Sequence, residues 1–265
     1  MVRIAVVLGA SDPEMEVIRR LAQRQGLAIH QATVDGRPVH PGNAYQANGT
    51  HPPLGPGDYD AIWLVECSVA PLPTPIVVRT LDHHKPGDFG YGKPPEDYFA
   101  ASSLGQLIQG LNLVPSEEEM NEYRLVAAAD HCLAAAYQGR CPGVDPEELM
   151  NWRIQSRAQF QRRDPAAVLA DVQNARRILQ EAPRLRFEQW EIADLRDRNV
   201  PELPEAAARD QVPFLAVVVG PDKRQKVVLQ AAPPELVQAF LEGKLLPGIQ
   251  QPYGDPSRGF AGGYL

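Results

Sequence analysis

Three short apolar runs, each stopped by glycine, proline or polar residues, constrain this chain more than any other feature of its first third. Residues 4–8, 60–67 and 76–81 are too short for buried helices and rich in β-branched side chains, which reads as buried strands of a mostly parallel sheet. Between the first two, residues 15–25 carry apolar side chains at helical spacing through Val17, Ile18 and Leu21 before Gly26 stops them, so strand, turn and helix follow in order. Residues 27–34 supply another strand. Residues 36–57 have no periodicity and are rich in Gly, Pro and Asn, so they read as a long loop.

The exits of these strands are polar. Asp12 and Glu14 follow the first, Glu66 and Cys67 the second, and Asp82-His83-His84 the third. In open parallel sheets ligands gather at the carboxyl ends of strands. A carboxylate and two imidazoles in one loop suit Mn²⁺, Fe²⁺ or Zn²⁺. Asp130, behind Ala127-Ala128-Ala129 on a helix, is a fourth candidate, because a carboxylate on a small-residue surface is seldom buried without a partner or a metal. Plainer roles stand beside these: helix capping for Asp12 and Glu14, and an exposed helical carboxylate for Asp130. Lys93, in the glycine-rich loop 85–96, could meet a phosphate or simply be solvated.

Taken in order, these residues resemble the DHH phosphoesterase superfamily, which includes manganese-dependent pyrophosphatases, single-strand exonucleases, oligoribonucleases and cyclic-dinucleotide phosphodiesterases. That family pairs a first-strand His and two Asp with a second-strand Asp, an Asp-His-His tripeptide and a lone helical Asp. Here Leu8 stands in place of the first His, Asp12 matches the first Asp and Glu14 replaces the second. Glu66 takes the second-strand position, Asp82-His83-His84 is intact, and Asp130 stands for the helical Asp. The run Ala101-Ser102-Ser103-Leu104 resembles the small Ala-Ser helix start that follows the tripeptide. Near the end, residues 254–263 look like a degenerate form of the glycine-rich motif of the family's small C-terminal domain.

The resemblance implies an α/β fold: a mostly parallel-sheet metal-binding domain over residues 1–150, a helical connector over 151–186 and a small α+β domain over 187–265. It implies a hydrolase of phosphoester or phosphoanhydride bonds holding one or two divalent ions, Mn foremost, through Asp12, Glu14, Glu66, His83 and Asp130. Asp82 would orient the imidazoles and His84 would meet the substrate phosphate. Lys93, Ser102, Ser103, Arg258, Gly262 and Gly263 would contact a small phosphorylated molecule or a short single-stranded oligonucleotide. Leu8 leaves a second reading, a nucleotide-binding or regulatory protein that keeps the fold without catalysis.

Further along, Ser116 and Glu119 fit a capping box ahead of a helix over residues 123–137. Helix over 165–181, strands near 187–192, 214–219 and 226–230, a turn at Gly220-Pro221-Asp222-Lys223 and a helix over 233–242 complete the expectation. The formal charge of −7 with no long basic block argues against a duplex-binding surface. Three cysteines in a chain this long point to a reducing, cytoplasmic setting. No run approaches membrane-spanning length or a signal segment, so neither export nor a membrane anchor is expected, and a homodimer is left open. Cys132 and Cys141 stand nine apart without a Cys-x-x-Cys pair, so Cys132 reads as a small buried hydrophobe.

Overall fold

In a computed structural model describing residues 2–220 and 223–265, the chain forms two units, which divide between His131 and Cys132. The first is built on a six-stranded sheet. Strands β1 (Ile4–Leu8), β2 (Ala28–Val34), β5 (Ala61–Val65) and β6 (Val77–Leu81) are parallel in the order β2-β1-β5-β6. Two short strands, β3 (Arg37–Pro38) and β4 (Gly49–His51), run antiparallel against β2, so the expected long loop folds back on the sheet. Helices α1 (Pro13–Arg24), α2 (Tyr98–Ala101), α3 (Ser103–Gly110) and α4 (Glu117–His131) complete the unit.

Alternation along the strands sorts the core. Ala5 and Val7 of β1 and Ile62 and Leu64 of β5 pack with Ala32, Val39, Ala44, Cys67 and Val69 on one face, while Val6, Leu8 and Val65 are equally buried on the other. The chain leaves β1 toward β2 on one side and returns to β5 on the other. The sheet therefore changes direction between β1 and β5, the place where crevices open at strand ends. The sequence pattern placed residues 76–81 in the interior, yet β6 is an edge strand: Val77 is 68% and Val78 43% exposed, and only Leu81 is sealed.

The second unit contains α5 (Leu133–Tyr137), α6 (Pro146–Gln161), α7 (Pro165–Glu181), α8 (Leu203–Asp210) and α9 (Pro234–Leu241) around a sheet ordered β11-β12-β10-β9-β8-β7. Its strands are β7 (Arg184–Phe187), β8 (Trp190–Leu195), β9 (Phe214–Val219), β10 (Gln225–Gln230), β11 (Gln250–Asp255) and β12 (Phe260–Tyr264); all pairs are antiparallel except β8 with β9. Period-two alternation divides two cores. Ala193, Leu195, Phe214 and Ala216 face α6, α7 and α8, whereas Ile192, Leu215, Val227 and Leu229 face α9.

The expected connector is thus part of this unit. Met150, Ile154 and Ala158 of α6 and Val168, Val172, Ala175 and Leu179 of α7 form an apolar stripe buried against the β8–β9 face and α8. Below that stripe Arg153 donates to Glu205 at 2.6 and 2.8 Å and Arg157 to Glu202 at 2.5 Å, which compensates two carboxylates removed from water.

Other differences concern boundaries. The strand expected at 187–192 straddles a turn and is two strands, and the helix expected over 123–137 breaks at Cys132. The capping box forms as expected, with Ser116 N donating to Glu119 at 2.9 Å and Glu119 N to Ser116 Oγ at 3.2 Å. The expected turn at 220–223 lies partly outside the described residues. No described helix is long and apolar enough to cross a membrane. Phe214, fully enclosed between β8–β9 and the three helices, should be the second unit's costliest truncation: Phe214→Ala is expected to lower its stability by about 3–5 kcal/mol in urea unfolding. A loss under about 1 kcal/mol would mean that this core is not packed as described.

Candidate metal centre

Four elements of the first unit deliver acidic or imidazole side chains to one buried spot. Glu14 comes from the first turn of α1, Glu66 from the end of β5, His83 from the end of β6 and Asp130 from the last turn of α4. Each offers a ligand atom within 4.8 Å of the others, and Glu66 and His83 also group in this way with His84. His83 Nε2 stands 3.0 Å from Asp130 Oδ2, and its Nδ1 stands 3.8 Å from Glu66 Oε1. The His83 ring is fully buried, stacked on His84 at 4.3 Å and met edge-on by His131 at 5.1 Å.

Local backbone explains how the chain reaches this arrangement. Glu66 sits at φ 49°, a left-handed conformation that costs a non-glycine residue roughly 1 kcal/mol. The turn is pinned because Glu66 N donates to Leu81 O at 3.1 Å. Gly9, at the exit of β1, allows the crossing: a Cβ there would fall 2.5 Å from Glu66 O. Gly90 plays the same part behind the tripeptide, where a Cβ would fall 2.6 Å from His83 Cβ.

Asp82 organises the tripeptide from beneath. One oxygen accepts from His83 N at 2.7 Å, His84 N at 3.1 Å and His84 Nδ1 at 2.9 Å; the other accepts from Tyr45 Oη at 2.9 Å. Burial opposes its charge, but the His84 and Tyr45 contacts win and hold its carboxyl below the usual range. With Nδ1 committed to Asp82, His84 keeps Nε2 for another partner, on a side chain that is 33% exposed. Gln106 fixes the backbone, donating to Asp82 O at 2.9 Å and Ala101 O at 2.8 Å.

The electrostatics run the other way at the cluster. Burial first, then Asp130 and the neighbouring carboxylates, push Glu14 and Glu66 well above the usual range, and burial with Asp130 lifts Asp12 to about 7. Glu14 Oε1 accepts from Leu104 N at 3.1 Å, and Glu66 Oε1 from Ser103 Oγ at 2.8 Å. Glu14 Oε2 is buried with no donor. Several carboxylates, two imidazoles and an oxygen without a hydrogen-bond donor form a donor set that fits a divalent cation, whose charge would replace the protons the acids otherwise need.

The expected residues divide clearly. Glu14, Glu66, His83 and Asp130 converge, and His84 joins the second grouping. Asp12 falls outside both. It caps α1, accepting from Met15 N at 2.7 Å, yet it responds electrostatically to Asp130 and His84. Ser102 and Ser103 are fully buried and spent within the protein, the first capping α3 at Gly105 N and the second holding Glu66, so neither presents its hydroxyl to a substrate here. Lys93 is exposed, its Nζ 5.6 Å above the Phe89 ring.

In the second unit, Gly262 and Gly263 lie in β12, an interior strand paired with β10 and β11. Their backbone belongs to the ladder, and their missing Cβ atoms leave room for Tyr253 and Ile249. Arg258 sits in a short 3₁₀ turn, its guanidinium 5.6 Å over Phe260. Leu8 is sealed in the core. Sequence reasoning overlooked Tyr45 and Gln106, which carry no periodic signal: one lies in an irregular loop and the other is a single polar residue inside an apolar helix.

No family model matches the chain, and no curated protein does. Among solved structures it is similar to PggH, a pGpG-specific phosphodiesterase from Vibrio cholerae, at 11% identity and a TM-score of 0.43, over all of this chain and 93% of that one.

That geometry sets a pH dependence. Acids with raised native pKa keep protons that the unfolded chain releases, so the stability they lend is full below about pH 4 and is lost as pH rises through about 7 at Asp12. In chelator the melting temperature should therefore fall between about pH 5 and about pH 8, and saturating Mn²⁺ should flatten or reverse that slope. A melting temperature that climbs over this range in chelator would contradict co-buried acids.

Proposed function

We propose that the chain is a divalent-metal-dependent phosphoesterase, cleaving a phosphoester or phosphoanhydride bond in a small phosphorylated molecule or a short single-stranded oligonucleotide, with Mn²⁺ as the working ion. The observation that carries this reading is the Glu14–Glu66–His83–Asp130 group beside His84, buried except for part of Asp130. Two overlapping donor groups that share Glu66 and His83 would suit one divalent ion or two neighbouring ones. When bound, such ions supply Lewis acidity toward phosphoryl oxygens and lower the pKa of water.

The protein's own residues do the rest. His83, buried and braced by Asp130, binds; Ser103 orients Glu66; and Asp82, kept ionised by Tyr45 and His84, fixes the ring of His84. With Nδ1–H donated to Asp82, His84 Nε2 is the group free to face a substrate, either accepting a proton or, once protonated, pairing with a phosphate oxygen. This is the arrangement by which an aspartate sets the tautomer and direction of an imidazole.

Leu8 supports one competing reading. An aliphatic side chain sealed in the core contributes no ligand, and a site short of one imidazole could bind a phosphorylated nucleotide without turning it over. Turnover of a generic phosphodiester, a short oligonucleotide and pyrophosphate with and without Mn²⁺ separates the two readings. His83→Ala should weaken metal binding by about 10-fold or more and abolish activity with it. His84→Ala should retain the metal while lowering kcat by about 10²–10⁴, the range of a lost general acid or base. Metal bound without turnover on any of the three substrates would favour the binding protein; equal metal loss in both variants would make His84 a ligand.

A further inference from the structure

Outside the candidate site, the second unit contains two nucleophilic side chains in direct contact. Cys132 Sγ and Cys141 Sγ are 2.9 Å apart, both buried and both thiols, while Cys67 lies in the first unit with its thiol 3.7 Å from Val7 O. The contact follows from a stiff segment. Cys132 interrupts the helix at φ −151°, α5 makes little more than one turn, and Gly139 at φ 70° reverses the chain, with Arg140 N donating to Ala135 O at 3.0 Å. The sulfurs are thus presented to each other by a short loop closed by backbone hydrogen bonds from Ala136, Gln138, Gly139 and Arg140.

Cys132 also lines a cavity of about 640 Å³ shared with Gln138, Arg140, Trp190 and Arg258. Cys132, 7% exposed, borders this cavity, whereas Cys141, 2% exposed, is not among the residues that line it. We propose that Cys132 and Cys141 form a dithiol redox site that closes to an intramolecular disulfide when a hydroperoxide enters this cavity. Closure needs the sulfurs to move from 2.9 Å to about 2.05 Å, well under the length of a side-chain bond rotation's sweep.

The chemistry balances without any group beyond the named oxidant. Cys132 sulfur attacks the terminal peroxide oxygen, the O–O bond breaks, and a sulfenic acid forms as the alcohol or water leaves with the thiol proton. Cys141 sulfur then attacks the sulfenic sulfur, the S–O bond breaks, and water departs with the second proton. Two thiols and one hydroperoxide thus give a disulfide, one water and one alcohol or, from hydrogen peroxide, two waters. Excess dithiol reductant reverses the bond by exchange.

The test uses the reduced full chain exposed to hydrogen peroxide, with remaining thiols alkylated and the intact mass and peptides read. The expected product has lost two hydrogens, carries one alkyl group on Cys67 and returns to three alkylated thiols after dithiothreitol. Cys132→Ser and Cys141→Ser should each abolish it, and Cys67→Ser should react as the parent does. Should either serine variant fail to fold, the linked Cys132–Cys141 peptide from the parent decides alone. Consumption of Cys67 at the same rate, oxygen addition at Cys132 or Cys141 without hydrogen loss, or a disulfide between two chains would each overturn the proposal.

Discussion

Mutual repulsion among buried carboxylates is the constraint on which the first unit's architecture turns. Glu14, Glu66 and Asp130 crowd around the fully buried imidazole of His83; after burial itself, Asp130 raises the proton affinity of both glutamates, and Glu14 raises that of Glu66. Isolated acids would escape to water. These cannot, because each is anchored by a different element: the start of α1, the left-handed end of β5 and the final turn of α4. The sheet's change of direction between β1 and β5 brings those anchors together, so strand order and charge crowding are two descriptions of one design.

The positively disposed counterpart is the Asp-His-His loop. Asp82 is ionised against burial because it accepts four hydrogen bonds, and that ionisation fixes the His84 ring through its Nδ1. A loop of three residues thereby presents two stacked imidazoles, one fully buried among the acids and one partly exposed. Gly90 closes over His83 from behind, which accounts for the glycine-rich stretch that follows.

Much of this could be read from the amino-acid order. Glu66, the tripeptide and Asp130 were legible because each directly follows an apolar run or a small-residue stretch, and Glu14 because it opens the helix after β1; Asp12, read beside it, caps that helix. Helix α7 and strand β9 were read to the residue, their patterns being long or strongly β-branched. What escaped depended on tertiary contacts: Tyr45 meets Asp82 across 37 residues, and Gln106 meets it across 24. The serines at 102 and 103 look like ligand-facing hydroxyls in sequence, and burial alone reveals them as internal supports. Likewise Gly262 and Gly263, taken for a substrate edge, are narrow because Tyr253 and Ile249 lie across them.

The left-handed backbone at Glu66 has a consequence for how quickly such a site could fill. Because its N–H is already tied to Leu81 O and its carboxylate to Ser103, this side chain has almost no rearrangement left to make. A cation arriving from solution would meet a rigid receptor rather than a loop that must wrap around it. Its entry would then be governed by how readily it exchanges hydration water, a property of the ion, and ions of equal charge but different water lability would be sorted by rate as well as by affinity.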